Sequence, residues 1–371
     1  MSTRHPGSSG PDMAGKAMAV DGPIDPDQIG ATLMHEHLLL DLRRWAAPGE
    51  NTPVTEAALW DQKLTLDNLH LARERKPIAD NWLLDDERLA AEEAMEFGQW
   101  GGGTIVEVTN IGLRRDPVGL LKVSNLTGLN IVMGAGWYQK RLHPADMDRR
   151  TVEDLAEEMV RDITVGVGGT GIRSGIIGEI GVQGEPIEPN EVKSIRASAR
   201  ASRATGAAIS FHRGGADREE KLQVVAILGE EGVDFSRVIF GHSDPMAGDM
   251  PLLLELLRHG VYIQFDMLGR VGAPLDWKPP SYVGLTSSHA GSALVADVIP
   301  KLIDEGYADR ILLSQDVCSK VQLKCYGGTG YSFVLEKFLP HLRGKGVAGE
   351  DIQMMMVENP RRVLTFVEPV Q

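Results

Sequence analysis

Four of the ten histidines in this chain stand at the ends of short apolar runs, where imidazoles can act together. The densest group is His35-Glu36-His37. On a strand, residues i and i+2 share a face, so both rings point one way and Glu36 the other. Two imidazoles on one face can grip one cation from adjacent positions. Single histidines close two later runs, His212 in Phe211-His212-Arg213 and His242 in Gly241-His242-Ser243. Carboxylates close two more: Glu179 in Gly178-Glu179-Ile180-Gly181 and Asp316 in Ser314-Gln315-Asp316. Asp316 by itself would be an ordinary helix cap after a strand. Beside four histidines in matching positions it reads as a ligand, and the chemistry is metal-assisted hydrolysis.

Such a set works only if the run ends meet in space. The runs cover 31–34, 104–108, 130–135, 175–180, 207–211, 238–240, 261–265 and 311–313. They are rich in Val, Ile and Leu and too short for helices, as buried parallel strands are. Helical patterns at 87–99, 151–165, 189–205 and 293–305 fill gaps between them. Eight strand-helix alternations predict a (β/α)8 TIM barrel, whose active site forms at the C-terminal ends of the strands. A doubly wound open sheet is the alternative, but no glycine-rich phosphate loop follows the first run. The connection 42–101 carries at least one extra helix. Residues 1–21 lack periodicity and are expected to form a flexible tail, with a single domain over 22–371.

Length and composition agree with one soluble barrel: 371 residues, 42% hydrophobic and 24% charged. A net charge of −14 argues against nucleic-acid binding, which needs a basic face. No apolar run approaches the ~18 residues of a membrane span. The N-terminal stretch has no continuous apolar segment of the signal-peptide kind, so a cytoplasmic location is expected. Cys318 and Cys325 match no zinc-knuckle spacing and are expected to be free thiols.

The ordered motifs resemble the amidohydrolase superfamily, and within it the phosphotriesterase-related branch. They run from GATLMHEHLL, GGGTIVEVT, GAGWY and GIRSGIIGEIG through SFHR, IFGHSD, QFDMLGR and LSQDV to YGGTGYSFVLEKFLPHL and VENPRRVL. The resemblance implies two divalent metal ions, zinc first, and a homodimer. It makes His35, His37 and Asp316 ligands of the more buried ion and His212 and His242 ligands of the more exposed one. The best-studied members bridge the ions with a carbamylated lysine, which falls here on Gly178. Glu179, one position later, is the available carboxylate, as in the branch that carries GEIG or AEIG. Its shorter side chain requires the strand to approach the metals or to bulge, which Gly178 and Gly181 permit. Two divalent ions bring +4, and Glu179, Asp316 and a bridging hydroxide bring −3. The remaining +1 can stabilise an oxyanion.

The expected mechanism is attack by that hydroxide, with Asp316 as the catalytic residue carrying the proton to the leaving group. Trp137 and Tyr138 follow the third run, and the resemblance assigns an aromatic hydroxyl there to the substrate carbonyl. Asp266 and Arg270 follow the seventh, before a loop to about 290 that could act as a lid. Lys140, Arg141, Arg213, Arg270, Lys320 and Lys324 all lie beyond run ends in an acidic protein. Singly each is an ordinary solvated cation; together they suggest a small anionic substrate, with Arg213, Arg270 and Lys324 as contacts. The reading is a hydrolase of carboxylic esters, lactones or amides. Strict phosphotriester hydrolysis and a non-catalytic binding protein on the same barrel are the alternatives.

Overall fold

Runs of Val, Ile and Leu become parallel strands because they can bury both faces, one inside a barrel and one beneath helices. The structure, a computed structural model, describes residues 13–183, 186–213, 218–270 and 291–370. Its strands are β1 (Ala31–Glu36), β2 (Gly102–Glu107), β3 (Asn130–Ala135), β4 (Ile176–Val182), β5 (Ile209–Arg213), β6 (Val238–Phe240), β7 (Tyr262–Phe265) and β8 (Ile311–Leu313). They pair in sequence order and in parallel. Outside them run α1 (Glu87–Gln99), α2 (Pro117–Thr127), α3 (Val152–Thr164), α4 (Pro189–Thr205), α5 (Arg218–Glu230), α6 (Met250–Arg258) and α7 (Gly291–Asp304). This is the (β/α)8 barrel that the alternation predicts.

The return of β8 to β1 excludes an open sheet, and the seam is closed largely by side chains. The His35 amide donates to Ser314 Oγ at 2.9 Å, and the Asp316 amide donates to the His35 carbonyl at 3.2 Å. Glu36 accepts from Ser314 Oγ and the Gln315 amide, both at 2.7 Å, and from the Val317 amide at 2.9 Å. Glu36 does point away from His35 and His37. That direction leads into the seam, where the carboxylate is fully buried.

Inside the barrel, Met34, Val106, Val132, Ile176, Ala208, Ile239, Tyr262 and Leu312 form one cluster. Their chain neighbours, such as Leu33, Ile105, Ile177 and Ile263, pack into the larger outer core. Strict alternation would turn both His35 and Glu179 outward with Leu33 and Ile177. The ladders are irregular between Leu33 and Glu36 and between Ile177 and Ile180. An irregularity of this kind resets the side-chain phase, and both residues face the barrel mouth instead.

Two expectations change. Ala17–Ala19, inside the segment assigned to the tail, pairs with Gly22–Ile24 in an antiparallel hairpin. Residues Ala17, Met18, Ala19 and Val20 are buried, and the Val20 amide donates to the Ile131 carbonyl at 2.8 Å. Small apolar residues close the bottom of the barrel there, so low complexity concealed a packed element. Residues 1–12 lie outside the described residues. The strands β1 and β4 also run two residues past their apolar runs, β1 through the polar yet buried His35 and Glu36 and β4 through Gly181 and Val182.

Ser314→Ala tests the seam. It orphans the His35 amide and removes a donor from buried Glu36, a loss of about 1–3 kcal/mol. The expected result is a lower urea midpoint at unchanged m-value; an unchanged midpoint would show that the backbone closes the barrel without Ser314.

Candidate metal centre

The ends of five strands bring His35, His37, Glu179, His212, His242 and Asp316 to one point. Glu179 Oε1 lies 3.3 Å from His37 Nε2, and Oε2 lies 3.4 Å from His35 Nε2 and 2.5 Å from His212 Nδ1. His242 Nε2 is 2.8 Å from His212 Nδ1. Asp316 Oδ1 is 3.4 Å from His37 Nε2 and 3.9 Å from His35 Nε2. Two groups with ligand atoms within 4.8 Å of one another, His35-His37-Glu179 and Glu179-His212-His242, share the glutamate. Both ring nitrogens of the fully buried His35 have no hydrogen-bond partner. A buried imidazole with no partner, facing two carboxylates, fits a cation.

The outer ring nitrogens decide which lone pairs remain open. Thr109 Oγ1 donates to Glu107 Oε1 at 2.5 Å, so at 2.8 Å it can only accept from His37 Nδ1–H. That fixes the His37 tautomer with Nε2 free. His242 Nδ1 is 2.7 Å from Asp266 Oδ1, and His35 Nδ1 is 3.4 Å from Asp266 Oδ2. Asp266 also takes the His242 amide at 3.0 Å and the Gln264 side-chain amide at 2.7 Å. The residue expected to touch substrate is therefore fully buried, hydrogen-bonds the His242 ring from behind and faces the back of the His35 ring. A third group, His35-His242-Asp266, also meets metal-ligand spacing, but its ring nitrogens are the ones that serve Asp266.

Backbone strain marks two of the six. His242 has φ 48° and Asp316 φ 50°, in the left-handed region that side chains other than glycine enter at a cost. The Asp266 carboxylate on the His242 amide holds the first in place. The Asp316 amide on the His35 carbonyl, and Gln322 Nε2 donating to the Asp316 carbonyl at 2.8 Å, hold the second. On β4 the Glu179 amide donates to the Val108 carbonyl at 3.1 Å, and Asn110 Nδ2 to the Glu179 carbonyl at 2.5 Å. A Cβ on Gly178 would stand 2.5 Å from the Ser210 carbonyl oxygen, so only glycine lets the strand bend there. Glu36, Glu107, Thr109 and Asn110 escaped the sequence reading. Their signal was their position within three residues of a strand end.

Other expected contacts divide. Tyr138 Oη lies 2.9 Å from His212 Nε2, at the centre. Trp137 is buried and its ring packs under Arg150 at 4.9 Å. Arg270 reaches the centre and pairs with Asp316 Oδ2. Lys324 pairs instead with Glu96 and, at 3.1 Å, with Glu336. Lys140 pairs with Glu188 at 2.7 Å and Lys320 with Asp80 at 3.0 Å. Three of the six expected cations are thus engaged by carboxylates of neighbouring elements. The Arg213 side chain and the loop over 271–290 lie outside the described residues.

Charge is unevenly distributed at this point. Burial opposes protonation of His35, but Asp266, Glu179 and Asp316 outweigh it and raise its pKa to about 10. Burial takes His212 down to about 4 despite Glu179. Glu179 and Asp316 stay well below the usual carboxylate range. For each, burial is outweighed, by His212 and His35 around Glu179 and by Arg270 with His37 around Asp316. Without metal, a proton on His35 and the Arg270 guanidinium supply positive charge that cations would otherwise bring.

The model of the phosphotriesterase family matches residues 15–364. The chain is 35% identical to the N-acetyltaurine hydrolase of Xenopus tropicalis over 95% of this chain and 99% of that protein. Among solved structures it resembles a resiniferatoxin-binding protein from Rhodobacter sphaeroides, with TM-score 0.87 and 37% identity over 96% and 97% of the two chains. It also resembles the phosphotriesterase homology protein of Escherichia coli, solved with phosphate in its active site. That match has TM-score 0.75 and 30% identity over 91% and 99%.

The charge pattern sets a pH dependence. The folded-state pKa of His35, about 10, lies above its unfolded value of 6.5. Its contribution to stability is complete below 6.5 and is lost as pH rises through 10. Glu179 and Asp316, being depressed, contribute throughout that window. Chelator-treated protein should therefore lose stability relative to metal-loaded protein between pH 7 and 10. Urea midpoints of both forms measure it, and a constant difference would contradict this charge assignment.

Proposed function

Because the chain belongs to the phosphotriesterase family and is a hydrolase, we propose that it uses two divalent cations to cleave a carboxylic amide, ester or lactone in a small anionic substrate. An N-acylated amino sulfonate or amino acid is the favoured class. The observation that carries this reading is the convergence of ring nitrogens of His35, His37 and His212 on one buried carboxylate, Glu179, with Asp316 facing the same His37 nitrogen. In it His35, His37 and Asp316 hold the more buried ion, His212 and His242 the more exposed one, and Glu179 both. The amide preference is supported by full-length similarity to N-acetyltaurine hydrolases. Family resemblance supports zinc as the metal and a homodimer as the assembly. A cytoplasmic location completes the reading.

Cations bound there acidify a water and polarise the scissile carbonyl. The chain does the rest. His212 Nε2–H donates to Tyr138 Oη, which leaves the phenolic proton free to donate to the substrate carbonyl oxygen. Burial holds that phenol well above its usual pKa, so it stays protonated. Asp316 Oδ1 accepts the proton of the attacking water and returns it to the leaving amine. Arg270 on Oδ2 keeps the carboxylate ionised and oriented for that transfer.

Protein purified without chelator should contain about two divalent ions per chain. A content near zero that added zinc or manganese does not raise would overturn the reading. Glu179→Gln should keep the fold and lose the more exposed ion, since two cations then lack the charge between them. Asp316→Asn should lower kcat on N-acetyltaurine by about a hundredfold or more. Faster turnover of neutral organophosphate triesters than of any amide, ester or lactone would favour strict phosphotriester hydrolysis instead.

A further inference from the structure

His37 stands one residue past the end of β1, where strand pairing no longer holds it. The ladder between β1 and β2 ends with Glu36 opposite Glu107 and with the Val108 amide on the Glu36 carbonyl at 3.0 Å. Side chains take over from there. Tyr331 Oη donates to the His37 carbonyl at 2.7 Å, and the next amide, of Leu38, donates to Glu107 Oε1 at 3.2 Å. The ring is held separately, through Nδ1–H on Thr109 Oγ1 at 2.8 Å.

Glu107 is where the ring contact and the Leu38 contact meet. It is the last residue of β2, and both it and Thr109 are fully buried. Its Oε1 accepts the Thr109 hydroxyl at 2.5 Å as well as the Leu38 amide, and its Oε2 accepts the Thr109 amide at 3.2 Å. Three donors converge on this carboxylate, so hydrogen bonding runs one way: the His37 ring donates to the hydroxyl, and the hydroxyl donates to Glu107.

Behind His242 the same task is done directly, by Asp266 Oδ1 at 2.7 Å from Nδ1. Behind His37 a hydroxyl is interposed between ring and carboxylate. A fully buried carboxylate is costly unless positive charge offsets it, whereas a neutral side chain at the strand end would avoid that cost. The positive charge this relay leads to is a cation on the inner nitrogen of His37. Partners of this kind orient a metal-binding imidazole and raise its basicity.

We propose that Glu107 is a positioning residue for the more buried metal ion, acting through Thr109 to hold the His37 ring with Nε2 inward and so setting the affinity of that ion. This inference rests on the two-cation reading above and extends the metal centre to β2, a strand that supplies none of the six ligands.

The test titrates metal-free protein with zinc against a competing chelator. It compares wild type with Glu107→Gln, Thr109→Val, Thr109→Ser and His37→Ala, with circular dichroism to show which are folded. Thr109→Val keeps the side-chain shape and loses the hydroxyl, and Glu107→Gln loses the charge. Each should weaken one of the two zinc ions by about tenfold to a hundredfold. Thr109→Ser, which keeps the hydroxyl, should bind as wild type does. Because the relay acts through His37, Thr109→Val should cause no further loss in a His37→Ala background. Folded Glu107→Gln or Thr109→Val that binds both ions as tightly as wild type would overturn the proposal. So would Thr109→Ser that loses as much as Thr109→Val, or an undiminished effect in the His37→Ala background. Should Glu107→Gln not fold, the Thr109 variants decide. Wild type that binds no zinc would instead sink the two-cation reading, and this inference with it.

Discussion

Three carboxylates, Glu179, Asp266 and Asp316, are buried around the same imidazoles at the mouth of this barrel. Desolvated like charges at this separation are tolerable only where positive charge is shared among them. Each carboxylate therefore has a separate task. Glu179 lies between the histidine pairs, Asp316 faces one pair and meets Arg270, and Asp266 stands behind the rings and fixes their outer nitrogens. The rest of the site follows from keeping these groups apart and keeping four lone pairs pointed inward.

Much of the surrounding structure serves that placement. The irregularities in β1 and β4 reverse the faces that strict alternation would assign, and they do so at the residues expected to meet metal. Glu36 uses both carboxylate oxygens on the segment Ser314–Val317, so the first strand positions the ligand that follows the last. This is a long-range dependence: a residue between the first two histidines holds one at the opposite end of the chain. Positive φ at His242 and Asp316 is the strain that these contacts sustain.

Around the mouth, the distribution of cations matters more than their number. Lys140, Lys320 and Lys324 are taken up by carboxylates of neighbouring helices and connections. The guanidinium of Arg270 is set differently, paired with Asp316 at the centre itself.

The sequence by itself determined the barrel, the order of its strands and the six residues that meet at its mouth. Those features depend on local patterns: β-branched runs too short for helices, and His or acidic residues placed just where each run stops. The resemblance added the expectation of a shifted carboxylate at Glu179. What Asp266, Glu36 and Thr109 do was decided only in the tertiary structure, because each acts on a residue brought near by strand pairing. Asp266 follows a strand exactly as a substrate contact would, and only the fold shows it behind His35 and His242. The N-terminal hairpin was hidden for the same kind of reason. Ala17–Ala19 carries no periodic signal, and its burial comes from the open end of a barrel built by residues far along the chain.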